Sequence, residues 1–187
     1  MPFLDHLEEL RWRVLWSMLA LILCSIISFG LVYYFQALEI LIAPIRDAYN
    51  DPNLQLIFLS PADPIFVTLR LAIYGGVILS FPILVYHIWS FLSPALEKDE
   101  RRAILPALYL GLLLFMGGVC LAYFAALPVT LEFFKAFLSA SLEGSLEINA
   151  TLGFIVKMLI AFGAVFELPI VILALSLMGV VTPKFLR

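Results

Sequence analysis

Four stretches of the chain are apolar for about 25 residues each, three of them without a formal charge, which is long enough for a helix to cross the hydrocarbon core of a bilayer. Lipid offers no partners for backbone hydrogen bonds, so only helices or closed barrels can span it. None of the four stretches shows the alternating pattern of barrel strands. The sequence therefore predicts an all-α fold, a polytopic membrane bundle with four transmembrane helices.

The composition agrees with this class. The chain is 64% hydrophobic and 13% charged, whereas soluble domains have about 45–50% apolar and 25% charged residues. A formal net charge of −3 argues against a nucleic-acid partner. Cys24 and Cys120 lie inside apolar stretches and match no metal or redox spacing, so we interpret them as packing residues.

Charged residues at the ends of these stretches set the predicted topology of a single transmembrane domain over residues 1–187. The predicted spans lie at about 14–38, 65–91, 103–128 and 152–179, the cytoplasmic segments at 1–13, 92–102 and 180–187, and the outer loops at 39–64 and 129–151. The first span follows an acidic segment and is too long for a cleaved signal sequence. Arginine and lysine are more frequent in segments 1–13, 92–102 and 180–187 than in the connections on the other side, which places these segments and both termini in the cytoplasm. The first outer loop is predicted to hold a short surface helix at about 37–42.

The fourth stretch contains one carboxylate, Glu167, near its middle. Inserting such a group into a bilayer costs roughly 2.5–3.5 kcal/mol, so it normally faces protein or water. Pro169 removes a backbone donor two residues later and is predicted to kink the helix, as is Pro82 in the second stretch. Kinked spans favour a concave bundle in which Glu167 and freed carbonyls share a polar pocket. The alternative interpretation is a neutral glutamic acid that only ties two helices together.

The first cytoplasmic segment has the pattern of an amphipathic helix. Apolar residues at positions 3, 7, 10 and 14 lie on one face, and Asp5, Glu9 and Arg13 lie on the other. We predict that this helix lies along the membrane interface and runs into the first span. One interpretation is an anchor helix with a Glu9–Arg13 pair worth a few tenths of a kcal/mol. The other is that Glu9 binds a partner.

A second carboxylate supports the binding interpretation. Glu100 lies in the cytoplasmic segment before the third span, where a carboxylate in the first helical turn is also favoured by the helix dipole alone. Together, Glu9 and Glu100 could accept a pair of guanidinium groups. Arginine binds carboxylates through two parallel hydrogen bonds, which lysine cannot do, so such a site would discriminate between them.

The sequence carries no motif for catalysis. It contains no glycine-rich phosphate loop, no G-x-S-x-G and no H-E-x-x-H, and its two histidines lie on different segments. The sequence therefore predicts a protein that is not an enzyme and uses no cofactor or metal. A proton-coupled transporter of small solutes that uses Glu167 is the alternative function, although no internal repeat supports it.

Taken together, these segments resemble the twin-arginine translocase subunit TatC. The resemblance spans nearly the whole chain and depends on six segments in order: HLEELRWR at 6–13, AP at 43–44, LSPADP at 59–64, YHIW at 86–89, PALEKDERR at 94–102 and FGAVFELP at 162–169.

This resemblance implies a receptor and scaffold for the export of folded proteins across the bacterial cytoplasmic membrane, driven by the proton-motive force. Glu9 and Glu100 would hold the arginines of a signal peptide, and the residues around them would shape the site: Glu8, Leu10, Arg11 and Arg101. The groove around Glu167, with Phe166 and Pro169, would contact the single-span subunits TatA and TatB. The resemblance also implies structural roles for Pro44, Pro82 and Asp63, and an oligomeric receptor complex embedded in lipid. Because the family has six spans, it further implies that this chain is truncated at its C-terminus.

Overall fold

The computed structural model describes residues 2–35, 37–52, 54–92, 104–137 and 146–177. Apart from one isolated bridge, the regular structure of these residues is helical. The helices are α1 (Pro2–Tyr34), α2 (Ala37–Tyr49), α3 (Asp63–Leu92), α4 (Ile104–Leu121), α5 (Leu127–Phe137), α6 (Ile148–Phe166) and α7 (Leu168–Leu177). A π-helical turn at Ala122–Ala126, here called the π turn, joins α4 to α5.

Four helical segments are long and apolar enough to cross a membrane: Leu7–Tyr34, Asp63–Phe91, Pro106–Phe137 and Ile148–Ser176. This finding confirms the predicted fold class. The helices extend beyond several predicted spans. The third segment continues to Phe137, about nine residues past the predicted end at 128, because the backbone stays helical on both sides of the π turn, at Leu121 and Leu127, and Pro128 does not end it.

The N-terminal amphipathic segment is not a separate helix. It forms the start of α1, which continues unbroken to Tyr34. On its apolar face, Leu7, Leu10 and Val14 are 39–47% exposed, so the described residues do not cover this face. The segment therefore extends the first membrane-length helix along its own axis.

Helix α2 begins where the sequence predicted a short helix and continues to Tyr49, well beyond the predicted end at 42. It extends because Ile42, Ile45 and Ala48 recur on one face and are buried against α5 and α6. Pro44 lies inside this helix and cannot donate to the carbonyl of Ile40, four residues earlier. The hydroxyl of Tyr123, in the π turn, donates to that carbonyl at 2.7 Å instead.

The larger core lies at the end of the bundle where α2, the starts of α3 and α6, and the end of α5 meet, here called the α2 end. Its buried side chains come from these helices, including the first half of α5, and from the π turn: Ile42, Ile45, Ala48, Val67, Leu71, Ala122, Leu127, Leu131, Ile148, Leu152, Ile155, Val156 and Leu159. The opposite end, here called the α7 end, holds a smaller cluster of Trp89, Ala107, Ile170 and Ala174. The described part of the bundle is therefore packed more extensively at the α2 end.

Two connections at the α2 end are fixed by carboxylates. The side chain of Asp63 is buried, and its Oδ2 accepts hydrogen bonds from the backbone N–H groups of Leu59 and Ser60 at 2.8 and 2.7 Å. Glu147 caps the start of α6 by accepting from the backbone of Asn149 at 2.8 Å and of Ala150. Asp63 thus satisfies two backbone donors of the loop before α3, and Glu147 satisfies two donors of the first turn of α6.

Helix α1 packs against α3 through small residues. A Cβ atom added to Gly76 would lie 2.6 Å from the Cα atom of Ser25, and one added to Gly75 would lie 3.3 Å from the Cβ atom of Ser28. Van der Waals packing, rather than the hydrophobic effect, holds helices together within lipid. The close approach at these two glycines therefore accounts for the position of α1, which otherwise exposes most of its large apolar side chains.

Candidate functional site

Glu167 lies at the junction between α6 and α7. Pro169 has no N–H to continue the helical ladder, and α6 ends at Phe166. The backbone N–H of Glu167 donates to the carbonyl of Ala164 at 3.2 Å, and its own carbonyl accepts from Ile170 and Val171 at 3.0 Å. The carboxylate therefore projects from a break in the membrane-length segment Ile148–Ser176. In contrast, α3 is assigned as one continuous helix through Pro82.

The carboxylate of Glu167 faces α4 at Gly111. A Cβ atom added to Gly111 would lie 3.2 Å from Oε2 and 3.4 Å from Oε1, so the carboxylate occupies space that a side chain at this position would fill. Oε1 is buried and accepts no hydrogen bond from the described residues. A buried acceptor without a donor is costly, so this oxygen marks a strained point in the packing of α6 and α7 against α4.

A cavity of about 340 Å³ opens beside this carboxylate, between α3 and α7. Apart from Glu167, its lining is apolar or aromatic: Phe81, Val85, Ile88, Trp89, Ile170, Val171, Ala174 and Leu175. The prediction of a polar pocket shared with freed backbone carbonyls is therefore wrong: the lining is apolar, and the carbonyl of Val165, which Pro169 leaves without its helical donor, accepts from the N–H of Glu167 instead. A single carboxylate at the edge of an apolar cavity suits an apolar segment that carries one hydrogen-bond donor.

The other two residues of the predicted groove do not line this cavity. Phe166 packs against α4, where a Cβ atom added to Gly118 would lie 3.0 Å from its Cβ and Cγ atoms. Pro169 is exposed on the surface of α7. These two residues therefore fix the backbone on both sides of Glu167. Phe166 anchors α6 to α4, and Pro169 interrupts the helix.

Gly111 was not singled out from the sequence, although the structure places it against the carboxylate. The signal available was an isolated glycine inside an apolar helix, which often marks a close approach. Its partner could not be identified because Gly111 and Glu167 lie on different spans, and the sequence does not give their relative depth.

At the α7 end, Glu9 forms an ion pair with Arg13. Nε of Arg13 donates to Oε1 of Glu9 at 2.9 Å, and Nη2 of Arg13 donates to the same oxygen. Both side chains are partly buried, whereas Glu8, Leu10 and Arg11 are exposed around them. The structure thus places four of the predicted binding residues on one helical turn. Glu100 and Arg101 lie outside the described residues.

Comparisons with known proteins agree with this architecture. The family model described as "Sec-independent protein translocase protein (TatC)" matches residues 5–187. A TatC protein of Aquifex aeolicus is 38% identical over 98% of this chain and 76% of its own length. The TatC protein of Escherichia coli K12 is 33% identical over 100% of this chain and 71% of its own length.

Solved structures give the same result. A crystal structure of the twin-arginine translocase receptor TatC superposes with a TM-score of 0.86 at 39% identity, covering 97% of this chain and 78% of that one. A second crystal structure of the receptor, in the detergent DDM, also has a TM-score of 0.86, at 38% identity. With sequence and fold in agreement over nearly its full length, the chain belongs to the TatC family, the multi-pass receptor component of twin-arginine protein export.

Proposed function

We propose that this chain binds twin-arginine signal peptides at the α7 end, with the carboxylates of Glu9 and Glu100 accepting the two guanidinium groups. The observation that carries this proposal is the contact between Glu9 and Arg13, in which two nitrogens of one guanidinium donate to the carboxylate. Glu9 is therefore already positioned to accept an arginine. A signal-peptide arginine would take the place of Arg13 or share the carboxylate with it.

The neighbouring side chains give this site a mixed character. Leu10 is 39% exposed and offers an apolar contact beside the carboxylates. Glu8 adds negative charge, while Arg11 and Arg101 limit where a second cation can settle. Because lysine cannot make the bidentate contact of arginine, the site should prefer a twin-arginine over a twin-lysine peptide.

The test is site-specific photocrosslinking of the chain to a twin-arginine peptide, combined with affinity measurements on purified variants. Glu9→Ala or Glu100→Ala should weaken binding by at least about tenfold, since a charge-assisted hydrogen bond is worth roughly 1.5–3 kcal/mol. Glu132→Ala is the matched control, because it removes an exposed carboxylate from α5 at the other end of the bundle. Equal binding of twin-arginine and twin-lysine peptides to the unaltered chain contradicts the proposal.

A second part of the proposal concerns Glu167. We infer that the cavity beside it receives side chains of the single transmembrane helix of TatA or TatB, with a donor on that helix reaching the carboxylate of Glu167. The unpaired oxygen and the apolar lining support an occupant of this kind. Glu167→Leu should lose crosslinks from cavity positions such as Val171 to the partner, whereas Glu167→Gln, which keeps an acceptor, should retain part of them. Undiminished crosslinking in Glu167→Leu would contradict this assignment.

The orientation that these proposals need places the α7 end in the cytoplasm and the α2 end outside the bacterial cytoplasmic membrane. The excess of arginine and lysine in the connections at the α7 end supports it. A single cysteine at position 9 should react with an impermeant maleimide only in inverted vesicles, and one at position 132 only in intact cells. The reverse pattern would place the carboxylates of Glu9 and Glu100 on the wrong side for incoming signal peptides.

The solute transporter weighed from the sequence is less well supported. The families and structures that match are those of a protein translocase receptor. A transporter in which Glu167 cycles protons would show solute uptake in liposomes that Glu167→Gln blocks. The export function predicts no such uptake.

A further inference from the structure

Two cations lie inside membrane-length segments on neighbouring helices, and the proposed export function uses neither. Arg70 is on α3 within the segment Asp63–Phe91, and Lys157 is on α6 within the segment Ile148–Ser176. Both side chains are exposed on the surface of the bundle. A cation at this position in lipid is costly unless it meets an anion or reaches the polar interface.

The described residues supply no anion for either cation. The guanidinium of Arg70 donates through Nη1 to the backbone carbonyl of Asn149 at 3.4 Å, and neither Arg70 nor Lys157 forms an ion pair with a described carboxylate. Glu147, at the start of α6, has both oxygens engaged with the backbone of its own first turn. Among the described residues, these two positive charges on the surface of the bundle therefore have only one weak acceptor between them.

The backbone of α6 brings the two charges to one surface. A Cβ atom added to Gly153 would lie 3.4 Å from Nη1 of Arg70, so the guanidinium lies over this glycine. Lys157 follows Gly153 by one helical turn, a spacing that places Cβ positions about 5–6 Å apart on the same face. The flexible side chain of Lys157 can therefore bring its ammonium group to an anion that also contacts Arg70.

The pair lies close enough to one membrane surface for its side chains to reach a lipid phosphate. Arg70 lies about seven residues from the start of α3 and Lys157 about nine from the start of α6, or roughly 10–14 Å along the helix axes. Each segment of 29 residues is about 43 Å long, so it extends beyond a hydrocarbon core of about 30 Å by roughly 6–7 Å at each end. Both cations thus start just inside the core, within reach of the headgroup region for side chains of their length.

We propose that Arg70 and Lys157 together bind the phosphate group of a membrane phospholipid, in the leaflet at the α2 end of the bundle. The guanidinium would hold two phosphate oxygens from the side of α3, and the ammonium group would contact a third from α6. Gly153, which has no side chain, lets the guanidinium lie close to α6 and so brings it towards Lys157. The lipid tails would then cover the apolar surface that α3 and α6 expose below it.

Native mass spectrometry of the full chain released from detergent tests the proposal with one anionic lipid, dioleoyl phosphatidylglycerol, as the probe. The double variant Arg70→Gln with Lys157→Gln should retain this lipid at least about tenfold less well, since each charge-assisted hydrogen bond is worth roughly 1.5–3 kcal/mol. Lys135→Gln is the matched control, because Lys135 is a cation at the same end whose ammonium group donates to the carbonyl of Ala48 at 3.2 Å.

Further arms identify the source of the phosphate and guard against misfolding. Dioleoylglycerol, which lacks the phosphate, and free glycerol phosphate, which lacks the tails, should both bind weakly to the unaltered chain. The charge-preserving swap Arg70→Lys with Lys157→Arg should retain the lipid even if the double glutamine variant fails to fold. Unchanged lipid retention in a folded double variant overturns the proposal. The proposal is also overturned if the double variant keeps the lipid but no longer binds an acidic transmembrane peptide. That result would show that the pair contacts a protein and not a lipid.

Discussion

The two ends of this helical bundle are held together in different ways. At the α2 end, buried side chains from α2, α3, α5 and α6 form one cluster, and two carboxylates cap the connections. At the α7 end, the described buried cluster has four members, and a cavity of about 340 Å³ opens beside an unpaired carboxylate oxygen.

This difference separates the part of the chain that fixes the fold from the part that the proposed peptide and helix partners would use. Close packing in the larger cluster resists the rearrangement that a guest inside the bundle would demand, and the lipid proposed above lies on its outer surface. An apolar cavity beside an unpaired acceptor, in contrast, favours binding, because a partner can fill the cavity and supply the missing hydrogen-bond donor. We therefore interpret the α2 end as the rigid frame and the α7 end as the part with the proposed surfaces for signal peptides and partner helices.

The largest expected effect is a loss of stability at the α2 end. Ile155→Ala removes a fully buried side chain from the larger cluster and should lower the free energy of unfolding by about 2–4 kcal/mol. Ile26→Ala is the control, because the side chain of Ile26 on α1 is 63% exposed, and it should change the free energy of unfolding little. Thermal unfolding in detergent measures both. Similar melting temperatures for the two variants would mean that the cluster does not set the stability of the frame.

A smaller loss is expected where α1 meets α3. In Gly76→Ala, the new Cβ atom would lie 2.6 and 2.8 Å from backbone atoms of Ser25, so α1 must move away, at a cost of roughly 1–3 kcal/mol. Gly30→Ala is the matched control, because no atom lies within 4 Å of the added Cβ, and it should be neutral or slightly stabilising. Limited proteolysis at the start of α1, together with melting temperatures, distinguishes the two variants.

Sequence reasoning identified the helices because their apolar stretches are long and uncharged, and it identified Glu167 because a lone carboxylate in such a stretch is conspicuous. It could not find the contacts that join distant segments. The hydrogen bond from Tyr123 to Ile40 connects residues 83 positions apart, and Gly111 opposes Glu167 across two spans. Hydropathy gives the depth of a span only approximately and does not give its rotation, and both are needed to pair such residues.

Tyr123 offers a test of how the frame tolerates Pro44. Tyr123→Phe removes the hydroxyl that donates to the carbonyl of Ile40, which Pro44 leaves without its helical donor. The expected cost is about 1–2 kcal/mol, measured by thermal unfolding. The double variant Tyr123→Phe with Pro44→Ala should recover part of this loss, because alanine restores the helical N–H. Additive losses would show that the two residues act independently.

At the α7 end, removing a polar group should have the opposite effect on stability. Glu167→Leu replaces a carboxylate that has an unpaired buried oxygen with an apolar side chain, so melting temperatures should stay unchanged or rise slightly. Export of a twin-arginine reporter should nevertheless fall, because the proposed partner loses its acceptor. A variant that is both destabilised and inactive would instead assign Glu167 a structural role and remove the contrast between the two ends.

The smallest expected effect comes from Arg13→Ala at the start of α1. The ion pair with Glu9 has i,i+4 spacing and lies near the surface, so its loss should cost only about 0.3–0.5 kcal/mol of stability.

The direction of the change in peptide affinity in Arg13→Ala is more informative than its size. If Arg13 competes with an incoming arginine for Glu9, affinity should stay equal or rise up to about twofold, since 0.4 kcal/mol corresponds to that factor. Isothermal titration with a twin-arginine peptide measures it, and Arg11→Ala, which removes a neighbouring exposed cation, is the comparison. A marked loss of affinity in Arg13→Ala would mean that the ion pair positions Glu9 for the peptide, so that the α7 end is also preorganised by its own contacts.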